Sequence, residues 1–220
     1  MGRLRGFYAS MVGKKVVMGV TGLIGVGFVI VHSLGNLLVF RGPDAINSYS
    51  HFLKSTGELL WALRFVLILA VILHVIAAVQ LTRQSVAARP IGYKKHESQV
   101  ATIASRTMRW GGALLLIFVV VHILHFTTGT IRPAGVFTPE DVYANIVLSF
   151  RIWWVTVFYV VSMIALGLHL FHGAWSSVRS IGVSPPSPQP LHRKVSMVIA
   201  VLVWAAFTVI PLAVVLGIVG

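Results

Sequence analysis

Five stretches of this chain run without one Asp, Glu, Lys or Arg: residues 16–40, 65–82, 110–131, 152–178 and 195–220. Each is close to or beyond the roughly 20 apolar residues that carry a helix through the hydrocarbon of a bilayer. The second extends back to about Leu59 if Arg64 lifts its guanidinium to the interface and leaves its stem in the apolar layer. The runs are continuous rather than alternating, which argues against strands, since backbone groups in lipid must be satisfied within a helix or a closed barrel. A soluble domain carries about a quarter charged residues; this chain of 220 residues has 10%, with 57% apolar. The sequence therefore predicts an all-α integral membrane protein. It reads as one domain over residues 1–220, with helices near 16–40, 59–82, 110–131, 152–178 and 195–219. The first run is too long for a cleaved signal peptide and is expected to stay as a span.

Charge gives the direction of threading. Thirteen of the eighteen Lys and Arg fall on the side of the N-terminus and of the second and fourth connections. Arg41, Lys54, Arg64, Arg132 and Arg151 fall on the other side, together with four of the five acids, Asp44, Glu58, Glu140 and Asp141. Basic residues concentrate on the cytoplasmic side of membrane proteins, so the N-terminus is expected in the cytoplasm and the C-terminus across the membrane. The net charge of +13 then reflects topology, and no nucleic-acid partner is expected. The connections are short. The longest, 83–109, is too poor in apolar residues for a core, and the 176–194 connection holds the stiff run Ser184-Pro185-Pro186-Ser187-Pro188-Gln189-Pro190. With no Cys, the chain forms no disulfide and ligates no iron–sulfur cluster. Any water-phase chemistry must come from partner subunits.

Nine His is a high count, and His32, His74, His122, His125 and His169 lie inside spans, with His172 one turn beyond His169. Intramembrane polar side chains are costly and mark function by default; the plain alternative is that each bonds to a neighbouring helix. Each of the first four helices carries at least one His and the fifth carries none. At the helical rise, His32 lies about 24 Å from the start of helix one, and His122 and His125 about 18 and 22 Å from the start of helix three. His74 and His169 lie about 13 and 15 Å from the same membrane side. Equal depth thus pairs helix one with three and helix two with four, and on depth alone His125 is slightly the better match to His32. In an up-down bundle these pairs are diagonal, about 11–14 Å between axes, the span at which two His clasp one flat macrocycle. Bis-His ligation saturates haem iron and suits electron transfer. Zinc prefers several ligands converging on one point, whereas these imidazoles are split between two levels, and a proton relay lacks intramembrane carboxylates. Two b-type haems inside helices one to four are the expected cofactors. The glycines of helices one, three and four allow close packing and room for a porphyrin face.

The run Ser10-Met-Val-Gly-Lys-Lys-Val-Val-Met-Gly-Val-Thr-Gly-Leu23, with His32-Ser-Leu-Gly-Asn36 after it, resembles the opening of the di-haem cytochrome b subunit of succinate dehydrogenase and fumarate reductase, in its single-polypeptide, five-helix form. Asn47-Ser-Tyr-Ser-His51-Phe, Ile117-Phe-Val-Val-Val-His122 and His169-Leu-Phe-His-Gly173-Ala-Trp175 agree with it, in order along nearly the whole chain. The resemblance implies His32 and His122 as axial ligands of the distal haem and His74 and His169 of the proximal one, so it takes His122 where depth favours His125. His125 and His172 then become candidates for the surroundings of the haems, for propionate contact or for an interhelical bond. It further implies a multi-pass subunit of the prokaryotic cytoplasmic membrane that anchors a flavoprotein and an iron–sulfur subunit on the cytoplasmic face, with the 83–109 connection as docking surface. Electrons would pass between succinate and a quinone, commonly menaquinone.

Propionates at the membrane faces need cationic or hydroxyl partners. Ser10, Lys14, Lys15, Arg83 and Arg109 are available on the inner face, and Asn36, Arg41, Tyr49 and His51 on the outer. Most of these charges also serve the topology. Quinone candidates are Glu58, His51, Trp61 and Arg64 near the distal level, and Ser105, Arg109 and Trp175 at the inner face. Two other readings remain: a di-haem anchor of a formate dehydrogenase, nitrate reductase or hydrogenase, or a haem-free transporter or assembly protein whose histidines only pack.

Overall fold

The structure, a computed structural model, describes residues 2–88, 102–182 and 191–220. A short helix α1 (Gly2–Ala9) leads into α2 (Met11–Asn36), extended by a 3-10 turn at Leu37–Arg41. Then follow α3 (Pro43–Ser55), α4 (Glu58–Ala87) and α5 (Ile103–His122), the last continued by a π-helical turn at Ile123–Thr127. Helices α6 (Val142–Phe150), α7 (Trp153–Ser180) and α8 (Leu191–Val215) complete the chain. Helices α2, α4, α5, α7 and α8 are the five long, apolar spans, and no strand occurs among the described residues. The side that holds α1 and the α4–α5 and α7–α8 connections is here the N face; the opposite side is the C face.

The spans differ at their ends from the expected ranges. Helix α5 starts at Ile103 rather than 110, because Thr102 caps it by accepting from the Ser105 amide at 3.2 Å, and charged Arg106 and Arg109 simply continue the helix. Ser10 caps α2 in the same way through the Gly13 amide at 3.0 Å. At the far end α8 stops at Val215 rather than 219. Gly217 adopts φ +70°, a left-handed conformation that costs glycine little, and the amides of Gly217 and Ile218 close back on Val214 and Ala213. The 13-residue and 9-residue helices α3 and α6 lie where the sequence suggested plain connections. Much of the 83–109 connection and all of the Ser184–Pro190 run lie outside the described residues.

Helix α2 packs against α4, α7 and α8; α5 packs against α7; and α8 packs against α7. Helices α2, α4, α5 and α7 therefore stand at the corners of a square, with α8 against its α2–α7 side. Between α4 and α5 backbone contact is at most marginal among the described residues. The diagonals are α2–α5 and α4–α7. Because lipid tails are as apolar as the side chains, close approach at small residues supplies the packing. A Cβ on Gly19 would meet Ser177 of α7 at 3.6 Å, and one on Gly167 would meet Trp204 of α8 at 3.2 Å. Large apolar side chains face outward along the spans, such as Phe65, Trp110, Trp153 and Leu202.

Buried side chains concentrate toward the C face. Val39, Ile46, Val147, Phe150, Tyr159 and Ile210 form one cluster that joins α3 and α6 to the ends of the spans. A polar clasp fixes the same cap. Asn47 donates to Asp141 Oδ1 at 3.0 Å and accepts from the Tyr143 amide at 3.1 Å, while Asp141 caps α6 through the Ala144 amide at 3.0 Å. Asp141→Ala removes the helix cap and leaves Asn47 half-paired. We expect a loss of about 1–2 kcal/mol, read as a lower unfolding temperature in detergent.

Candidate functional site

Four of the intramembrane histidines meet as two pairs, each across a diagonal of the square. The rings of His32 on α2 and His122 on α5 have centroids 5.9 Å apart. Those of His74 on α4 and His169 on α7 have centroids 6.1 Å apart. His74 sits beside Gly22 of α2, where a Cβ would stand 3.2 Å from its Cε1; His169 likewise sits beside Gly112 of α5 at 3.7 Å. Gly22 is ten residues before His32, and Gly112 ten before His122. Tyr159, whose ring centroid is 6.1 Å from that of His122, is ten before His169. Three helices thus give one offset between the pairs, about 15 Å at the helical rise. The His74–His169 pair is the one nearer the N face.

The two pairs have different surroundings. His74 Nδ1 lies 3.0 Å from the Met18 carbonyl and 3.3 Å from Thr21 Oγ1, which fixes the ring and leaves Nε2 free to bind. Second partners of this kind orient a metal-binding imidazole. His122 and His169 each keep a buried Nδ1 with no partner. Around His32 and His122 stand Phe28, Phe118, Phe126, Phe207 and Tyr159, with ring centroids 5.2 to 6.1 Å from one or the other. A Cβ on Gly25, one heptad before His32 on the same face of α2, would meet nothing within 4 Å. Gly22→Val puts a branched side chain against the His74 ring. Overpacking of this kind costs about 1–3 kcal/mol, expected as a lower unfolding temperature in detergent, with Gly22→Ala close to the parent.

His125 does not join a pair. Its Nδ1 lies 3.0 Å from the Tyr159 hydroxyl and its Nε2 2.9 Å from Ser149 Oγ, so both ring nitrogens already have protein partners. The π-helical turn at Ile123–Thr127 contains it and re-aims that stretch relative to His122. His172 contacts Trp175, with centroids 6.0 Å apart.

The remaining candidates separate into those near the pairs and those at the surface. Lys14 is buried, donates to the Ala9 carbonyl at 3.1 Å, and shares a face of α2 with Met18 and Thr21 by the 4- and 7-residue spacing. Asn36 donates to the His32 carbonyl at 2.7 Å and lies 3.4 Å from both of its ring nitrogens. Lys15, Arg41, Arg83 and Arg109 are exposed. Ser10 and Ser105 serve the starts of α2 and α5. Tyr49 packs on Gly35. His51 and Lys54 converge on Glu140 at 3.5 and 3.2 Å on the exposed C face. Glu58 is exposed at the start of α4, and Arg64 lies over the Trp61 ring at 5.0 Å. A 290 Å³ groove runs between α5 and α7 past Thr107, Trp110, Leu114 and Ile164 and reaches His169.

Sequence reasoning missed Met18 and Thr21 as partners of His74, and Tyr159 and Ser149 as partners of His125. Part of the signal for Thr21 and Tyr159 was present: each is a polar side chain inside an apolar run. Ser149 lies in a segment read as a connection, and the Met18 contribution is a backbone carbonyl that no residue type announces.

These features define a multi-pass, all-helical membrane protein with two histidine pairs stacked along one bundle. By sequence the chain is similar to the succinate dehydrogenase cytochrome b558 subunit of Bacillus subtilis (strain 168), with 26% identity over 193 residues, 87% of this chain and 89% of that protein. The likeness read from the motifs is thus a likeness to a succinate dehydrogenase cytochrome b subunit along most of the chain. No protein-family model matches the chain, and no solved structure matches it.

Proposed function

We propose that this chain is the membrane-anchoring, di-haem cytochrome b subunit of a succinate:quinone oxidoreductase. His32 and His122 would hold one haem b, and His74 and His169 the other. The observation that carries this reading is the spacing within the pairs. Two metal–imidazole bonds of about 2 Å and two ring radii of about 1.1 Å separate centroids by about 6 Å, and the two pairs stand at 5.9 and 6.1 Å. Among the described residues no group of three or more His, Asp or Glu converges, as a zinc site would need.

Held by two imidazoles, each haem b would supply a one-electron carrier without an open site for oxygen. The protein's part is to hold and insulate. The Met18 carbonyl orients His74, the aromatic side chains exclude water from the His32–His122 level, and Lys14 is the buried cation available to a propionate near the N face. The N face is the cytoplasmic side, where a flavoprotein and an iron–sulfur subunit dock. Menaquinone is the quinone, and the groove between α5 and α7 is the apolar slot within reach of His169. Glu58, Trp61 and Arg64 form a surface group at the start of α4.

Membranes that hold the whole complex test the reading. Anaerobic addition of succinate is expected to reduce a b-type absorbance that disappears when this chain is deleted. Reduction by formate or hydrogen, with none by succinate, would instead assign the chain to another respiratory dehydrogenase.

A further inference from the structure

Trp175 stands near the N-face end of α7, six residues beyond His169, and gathers cations from two helices. Arg179 Cζ lies 5.1 Å from the Trp175 ring centroid, and Arg193 Cζ, from the start of α8, lies 5.6 Å from it. Two guanidiniums drawn to one ring repel each other, and neither has a carboxylate partner among the described residues, where the ion pairs are those of Glu140 on the C face. Four of the chain's five acids belong to the C face, and the fifth, Glu97, lies outside the described residues. The Trp175 indole Nε1, a donor only, is buried without a partner. This seam between α7 and α8 holds two cations over one ring and a spare donor, with no counter-charge among the described residues.

The residues below the seam say what kind of counter-charge fits. Arg193, Met197, Val201 and Trp204 follow one another on a single face of α8 by spacings of four, four and three. The last three are 51%, 53% and 38% exposed. Trp204 abuts α7 at Gly167, and Ile164 of α7 is 48% exposed. An apolar track therefore runs from the cations into the membrane. A soluble anion would use only the head of it, and an acidic protein surface would leave the track bare. The geometry points to an anionic phospholipid, its headgroup phosphate held by Arg179, Arg193 and the Trp175 N–H, and an acyl chain lying along Met197 and Val201. Basic pockets between spans on the cytoplasmic side bind anionic headgroups for these reasons. The site stands apart from the haem ligands, so it can fail without them.

Native mass spectrometry of the purified full-length protein, taken from nanodiscs of equal phosphatidylglycerol and phosphatidylcholine with matched acyl chains, tests it. The parent is expected to retain phosphatidylglycerol about thirtyfold over phosphatidylcholine, the scale that two basic contacts give. R179Q/R193Q should fall to within about twofold of parity, whereas R106Q, at an exposed N-face arginine outside the seam, should keep the preference. Should the double variant not elute as folded protein, W175F keeps the ring and both cations but removes the N–H donor, and it should lower the preference about threefold. Parity in the parent, or an unchanged preference in folded R179Q/R193Q or W175F, overturns the site. So does loss of the preference in excess inorganic phosphate, which would mark a soluble-anion site.

Discussion

His74→Ala and His169→Ala are each expected to lower haem from two per polypeptide to one, with the remaining haem held by His32 and His122. The reason is geometric. The pairs lie about 15 Å apart along the bundle, and no ligand is shared between them. His74 and His169 meet from α4 and α7, while His32 and His122 meet from α2 and α5. Removing one imidazole would leave a haem at that level with one protein ligand and would leave the other pair intact. Haem extraction and quantification on detergent-purified variants measures it. Full retention of both haems in both variants would mean that other side chains are the ligands.

Tyr159 carries the second large effect. Its ring centroid lies 5.2 Å from that of Phe118, 5.1 Å from Phe150, 5.8 Å from Phe126 and 6.1 Å from His122, and its hydroxyl pairs with His125. Tyr159→Ala empties the centre of this aromatic group and leaves His125 Nδ1 without its partner. Truncating a buried aromatic costs about 3–5 kcal/mol. Tyr159→Phe keeps the ring and removes only the hydroxyl, for about 1–3 kcal/mol. Unfolding temperatures in detergent should therefore fall in the order parent, Tyr159→Phe, Tyr159→Ala. Equal temperatures for the two variants would place the stabilisation in the hydrogen bond rather than the ring.

The spans were legible because a charge-free run of this length has one stable solution in lipid. Their ends were less so. A rule that stops at the first charge cannot see that Thr102 caps α5 ahead of Arg106 and Arg109, or that α3 and α6 use polar residues such as Asn47 and Asp141 to lie across the C-face ends of the spans. Histidine depth identified which helices face each other, since rise per residue is nearly constant in a helix. It slightly favoured His125 over His122, three residues away, because depth carries no information on side-chain direction. The π-helical turn at Ile123–Thr127 alters that direction, and His125 turns to Tyr159 and Ser149 while His122 meets His32. The meeting of Arg179 and Arg193 at Trp175 was hidden because the two arginines belong to different spans, and topology alone accounts for a cation at either place.

A dithionite-reduced minus air-oxidised spectrum of the purified protein, with haem quantified per polypeptide, tests most directly whether one chain holds two bis-histidine haems. Two low-spin b-type haems per chain are predicted. An intact preparation with no haem would return the histidine pairs to interhelical packing and remove the basis for electron transfer through this subunit.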